Sequence, residues 1–89
     1  MVKSMEKLVL FHPHALSRMK ERGAEENEIR ITLNTGELFP AKFNRKGRRK
    51  NFPFHGSWHG KYYANKQIEV LYVESKTEKM VIIVITKYF

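Results

Sequence analysis

The spacing of apolar residues changes period along the chain. Leu8 to Phe11 is an unbroken apolar run of four, a length that does not decide between a strand and a packed arm. From Pro13 to Arg22 the spacing is helical. Ala15, Leu16 and Met19 form one apolar face, no β-branched residue interrupts, and Pro13 suits a first turn where its missing N–H costs nothing. Gly23 is well placed to end that helix. Glu25, Glu26 and Glu28 complement the dipole of a second helix, Ile29 and Leu33 with Thr32 keep its spacing, and Asn34-Thr35-Gly36 stops it. This predicts helices over Pro13 to Arg22 and Glu25 to Asn34, joined as a hairpin through Gly23-Ala24.

After Gly36 the pattern becomes strand-like. Phe39 to Phe43 alternates, with Pro40 restricting it to an edge or to a start at Ala41. Asn44 to Arg48 reads as a turn, with Gly47 available for positive φ. Lys50 to His55 returns as a strand that Pro53 places on an exposed edge. Gly56 to Gly60 reads as a loop, and Lys61 to Ala64 as a short strand closed by a turn at Asn65-Lys66. Ile68 to Val73 alternates and predicts a strand, and Glu74 to Lys79 a connecting turn. Met80 to Thr86 is almost wholly apolar, as a central strand buried on both faces would be. The expected architecture is α+β in one domain over residues 1–89. Two N-terminal helices pack on a twisted antiparallel sheet of three to five strands.

Charge adds a second layer. Lys42 to Lys66 holds Lys42, Arg45, Lys46, Arg48, Arg49, Lys50, Lys61 and Lys66 and no carboxylate. Cations and carboxylates balance before and after it, so this segment carries the whole formal charge of +8. Phe43, Phe52, Phe54, Trp58, Tyr62 and Tyr63 are interleaved with these cations. Phosphates favour Lys and Arg while unstacked bases favour flat rings, so the segment suits a nucleic-acid strand. Arg45, Lys46, Arg48, Arg49, Lys50, Trp58 and Lys61 are the expected contacts; the alternatives are a solvated hairpin and, for Trp58, plain hairpin packing. The chain has no cysteine, which removes disulfides and thiolate sites and is compatible with a cytoplasmic setting. Its N-terminus lacks a signal-peptide core, and no run reaches membrane-spanning length.

His14-Ala15-Leu16-Ser17-Arg18-Met19-Lys20-Glu21-Arg22-Gly23, the glutamate-rich second helix, the basic hairpin and a last strand ending Ile85-Thr86 together resemble the small bacterial and archaeal proteins of domain of unknown function 4258. The resemblance covers nearly the whole chain, and its sharpest element is the His-x3-Arg-x3-Arg helix closed by glycine. It implies the fold of RelE-type and ParE-type toxins, within the barnase/colicin/RelE-like nuclease group. The implied activity is RNA cleavage without a metal or other cofactor. The implied partners are RNA, in some cases on the ribosome, and an acidic antitoxin protein. Ala24-Glu25 departs from the pattern, which expects serine or another good capping residue before the second helix.

Such cleavage needs a base for the 2′-hydroxyl proton, cations on the phosphate and an acid for the leaving oxygen. His14 suits acid or base duty, and Arg18 and Arg22, on the same stripe, suit a phosphate clamp. Tyr88 or Thr86, late in the last strand, can reach the same cleft, and His55 or His59 can supply a second proton-transfer group. The bland alternatives are a helix-start role for His14 and salt bridges from Arg18 and Arg22 to Glu21, Glu25 or Glu26. His12-x-His14 and His55-x3-His59 have the spacing of paired metal ligands, but Pro13, Gly56 and the lack of Cys or Asp speak against a metal. The same charge also serves a module that binds nucleic acid without cutting, or one that docks an acidic partner.

Overall fold

A computed structural model describes residues 7–89. The reading of the first residues as no leader falls, for Met1 to Glu6, outside the described residues. The order is β1 (Leu8–Phe11), α1 (Pro13–Arg22), α2 (Glu26–Thr35), β2 (Glu37–Pro40), β3 (Lys46–Trp58), β4 (Lys61–Glu74) and β5 (Glu78–Tyr88). The strands form one sheet in the order β1-β5-β4-β3-β2. The α+β architecture with two N-terminal helices on a multi-stranded sheet is as the pattern predicts. The expected all-antiparallel sheet is corrected: β1 lies parallel to β5, with Leu8 opposite Glu78 and Phe11 opposite Val81. Parallel neighbours need a long crossover, and here everything between β1 and β5 supplies it.

Helix α1 occupies the expected residues. His12 caps it, its Nδ1 accepting from the His14 N–H at 3.1 Å, and Gly23 closes it at φ 73. Ala15 and Met19 are buried, but Leu16 is 45% exposed, which corrects the expected apolar face. Leu16 sits roughly 100° around the axis from Ala15 and Met19 only about 40°, so the sheet covers the second pair. Helix α2 starts one residue later than expected. Glu25 stands in the capping position instead of serine and forms a reciprocal box with Glu28, whose carboxylate accepts from the Glu25 N–H at 3.0 Å. Ile29, Thr32 and Leu33 are buried, and the Thr32 hydroxyl donates to the Glu28 carbonyl.

Period-two alternation sets the face of the sheet that the helices cover. In β4, Lys66, Ile68, Val70 and Tyr72 point to the helices, and in β5 Val84 lies opposite Val70 and Val81 opposite Tyr72. Helix α1 packs on β5, and α2 on β4 and β3. The core is Ala15, Met19, Ala24, Ile29, Leu33, Ile68, Val70, Tyr72, Val81 and Val84. Each large member contributes about 1.5–3 kcal/mol through burial.

The strand boundaries bring four corrections. The turn expected at Asn44 to Arg48 lies earlier, with positive φ at Phe43 and Asn44, and Gly47 sits inside β3. A Cβ there would come within 2.5 Å of the Phe39 ring, so Gly47 is needed for the aromatic lying across it rather than for a turn. The loop expected over Gly56 to Gly60 shrinks to His59-Gly60, at φ 52 and 81, between Trp58 and Lys61. Two consecutive positive φ values match the twist of the flanking strands, so β3 and β4 run to the hairpin tip. The turn expected at Asn65-Lys66 is absent, because β4 is continuous from Lys61 to Glu74. The central strand is β4, not the last strand: Ile82, Ile83 and Ile85 of β5 are half-buried, since no helix covers the second face. Pro53 does lie where β3 has a free outer edge, because β2 pairs only with Lys46 to Arg49.

Glu74 ties three segments at one end of the sheet. It accepts from Lys7 and Lys46, each at 2.7 Å, and these cations hold its carboxyl at about 2, below the usual 4.5. The carboxylate's stabilisation is complete above about pH 4.5 and is lost as pH falls towards 2. Lys46 reaches it from the solvent side, so the effect is about 1 kcal/mol. Urea denaturation from pH 6 to pH 2.5 is expected to show this loss in the wild type. A Glu74→Gln variant should start lower and lack that component; parallel curves for both proteins would contradict the assignment.

Candidate functional site

At the opposite end of the sheet, the C-terminus of α1, the end of β5 and the tip of the β3–β4 hairpin enclose an open cleft of about 340 Å³. Glu21, Arg22, Trp58, His59, Thr86 and Tyr88 line it. The local sequence explains why these elements meet. A helix end leaves carbonyls unpaired, and here Tyr88 donates to the Arg22 carbonyl at 2.8 Å and Lys66 to the Gly23 carbonyl at 3.0 Å. Gly23 has no Cβ, and one built there would fall 2.5 Å from the Tyr88 hydroxyl and 2.8 Å from the Trp58 ring. The glycine therefore admits both rings as well as ending the helix.

Trp58 stacks on His59 at 4.6 Å and on Tyr88 at 4.8 Å, and Phe54 meets the Tyr88 ring edge-on at 5.0 Å. The tryptophan is thus first a packing residue that pins the hairpin tip to α1. Burial, and secondarily the charge of Glu28, push the Tyr88 phenol up, so it stays a neutral donor with its proton on Arg22. The Thr86 hydroxyl is buried without a hydrogen-bond partner among the described residues, an uncompensated cost beside the cleft. The Arg22 guanidinium has no carboxylate partner among the described residues, whereas Arg18 binds Glu21 at 3.0 Å.

Of the residues expected to be catalytic, Arg22 and Tyr88 line the cleft together with Trp58, while Arg18 touches it only through Glu21. His14 is exposed at the other end of the same stripe, about 12 Å along the axis from Arg22. Glu21 and His59 join the cleft. From the sequence His59 is expected, with His55 as the alternative, as a second proton-transfer group and as half of a disfavoured metal pair, and Glu21 only as a salt-bridge partner. The signal for Glu21 was its place immediately before Arg22, at the helix end facing the last strand.

The cationic segment does not form one ribbon. Lys46 is held by Glu74, and Arg48 donates to the Gly36 carbonyl at 2.7 Å and to the Tyr72 hydroxyl at 3.3 Å. Arg49 lies on the other face, 4.5 Å over Phe39 and near Glu37 and Glu69. Lys66 is buried against Glu28 at 2.8 Å. Lys42, Arg45, Lys50 and Lys61 have no carboxylate partner among the described residues, and Lys61 lies 5.6 Å over the Tyr63 ring. Among the described residues no three His, Asp or Glu are grouped to hold a metal ion, and the His12 Nδ1 is occupied by its own helix. No described helix is long and apolar enough to cross a membrane.

These features define a small basic α+β domain whose two helices back one face of a mixed five-stranded sheet. The chain belongs to the family described as Domain of unknown function (DUF4258), which it matches over residues 11–88. No curated protein and no solved structure matches it.

Proposed function

We propose that this protein binds single-stranded RNA and cleaves it at the α1–β5 cleft without a metal, in the manner of a RelE-like toxin. The observation that carries the reading is one cleft lined by Arg22, Glu21 and His59, a guanidinium-bearing residue with no carboxylate partner among the described residues, a carboxylate-bearing one and an imidazole-bearing one. Glu21, oriented by Arg18, takes the 2′-hydroxyl proton, and the 2′-oxygen attacks the phosphorus. Arg22 holds the phosphate as charge builds, and His59 gives a proton to the departing 5′-oxygen. The products are a 2′,3′-cyclic phosphate and a free 5′-hydroxyl. His14 and Arg18 extend the cationic stripe along α1 as a track for the strand. The RelE-type and ParE-type toxin fold that membership of this family implies points the same way.

The test is incubation of RNA with purified protein in EDTA. Wild type is expected to give cyclic-phosphate ends, and Arg22→Gln and His59→Ala to cut about 100-fold more slowly. His14→Ala should lose only a few-fold. Intact RNA with wild type, or a fully active His59→Ala, overturns the cleavage mechanism. A large loss in His14→Ala alone would move proton transfer to the start of the helix.

The engagement of Trp58 and Tyr88 in packing favours, as the second reading, a module that binds RNA and leaves it whole. It predicts salt-dependent binding without product. Co-purification with an acidic protein, and no affinity for RNA, would instead favour an antitoxin-like partner.

A further inference from the structure

The β2–β3 turn is built against ordinary preferences. The Arg45 N–H closes it on the Lys42 carbonyl at 3.2 Å, with Phe43 at φ 61 and Asn44 at φ 60 in the two central positions. Asparagine and glycine suit such positions, but a bulky aromatic rarely adopts positive φ. The strain is not repaid by packing, because Phe43 is 81% exposed. Its one close cation is Arg45, whose guanidinium lies 5.9 Å from the ring centroid. Lys42 is exposed beside it, and the sequence has no carboxylate between Glu37 and Glu69. A solvent-facing ring held at the tip of a loop with a cation on each side matches one ligand chemistry well. A base stacks on the ring while the phosphates on either side meet Lys42 and Arg45.

We propose that the Ala41–Arg45 loop is a second RNA contact, remote from the cleft, in which Phe43 stacks an unpaired base. The inference rests on the RNA reading above. Strand β3 separates the two sites by about 40 Å, from Lys46 to Trp58. Beyond Arg49 the outer edge of that strand pairs with no described strand. A short oligonucleotide can fill the cleft alone, while only a longer one reaches both points.

Fluorescence anisotropy with labelled single-stranded RNA of about 4 and about 16 nucleotides, 2′-O-methylated so that it cannot be cut, separates the two contacts. In wild type the longer RNA should bind more tightly. In Phe43→Ala the affinity for the longer RNA should fall about tenfold, with the shorter unchanged. Phe43→Trp should retain the longer RNA's affinity and show, with the longer RNA only, a fluorescence change beyond the one Trp58 in the cleft gives in wild type. Phe43→Gly relieves the backbone strain and should raise the thermal midpoint while still binding the longer RNA weakly. If Phe43→Ala binds the longer RNA as wild type does, or loses both lengths equally, the loop is not a second contact and the cleft reading stands. If wild type binds neither RNA, both readings fall. Binding of the wild type, but not of Phe43→Ala, to phosphatidylserine vesicles in place of RNA would assign the loop to a membrane surface.

Discussion

Replacing Lys66 by alanine lowers stability by about 3 kcal/mol, measured by urea denaturation at neutral pH. Lys66 is 4% exposed in the central strand, where a lysine is seldom found. Its ammonium is satisfied twice, by the Glu28 carboxylate at 2.8 Å and the Gly23 carbonyl at 3.0 Å. Glu28 in turn accepts from the Glu25 N–H. One side chain thus fastens the end of α1 and the start of α2 to β4. Alanine removes the donor and leaves a nearly dry carboxylate and a helix-end carbonyl without it, which costs more than the pair itself contributes. Pairing Lys66→Met with Glu28→Gln removes both charges and should recover a substantial part of the loss. A Lys66→Ala protein within about 0.5 kcal/mol of wild type would show that the pair holds nothing together.

Substituting Gly23 by alanine is expected to cost a similar amount by a different route. An L-residue at φ 73 carries about 1–2 kcal/mol of backbone strain. The new methyl would also lie 2.5 Å from the Tyr88 hydroxyl and 2.8 Å from Trp58, and overpacking of this kind costs about 1–3 kcal/mol. The rings must move, so the damage reaches the cleft as well as the helix end. Trp58 is the one tryptophan in the chain, and its emission reports the displacement directly. A red-shifted spectrum with a lowered urea midpoint is the expected pair of results. An unchanged spectrum would mean that the aromatic stack does not depend on Gly23.

The helices were legible because their signals are local. Pro13, Gly23 and the Glu25 to Glu28 cluster mark ends whatever surrounds them, and the observed boundaries fall within a residue of those expected. Strand β3 was legible only over Lys50 to His55, because Lys46 to Trp58 is rich in cations, glycine and proline. Those residues are tolerated in a strand whose outer edge is free over much of its length. The bulge between Pro53 and Gly56, with His55 at φ 48, further hides its alternation. The site was half legible. Arg22 and Tyr88 stand at the ends of their elements, and those ends meet. The separation of His14 from them follows from helix rise, but the presence of His59 in the same cleft lining as Glu21 depends on the length of the β3–β4 hairpin. No local pattern states that length. The division of the cationic segment was hidden for a related reason: alternation sends Arg48 and Arg49 to opposite faces, and distant carboxylates claim several of its members.

Strand β1 pairs with β5, so Leu8 meets Glu78 and Phe11 meets Val81 only after everything between them has been made. During synthesis Leu8-Val9-Leu10-Phe11 emerges before its partner and stays an unmatched apolar ribbon until β5 follows. Such long-range closure slows folding and leaves that ribbon open to aggregation in the meantime.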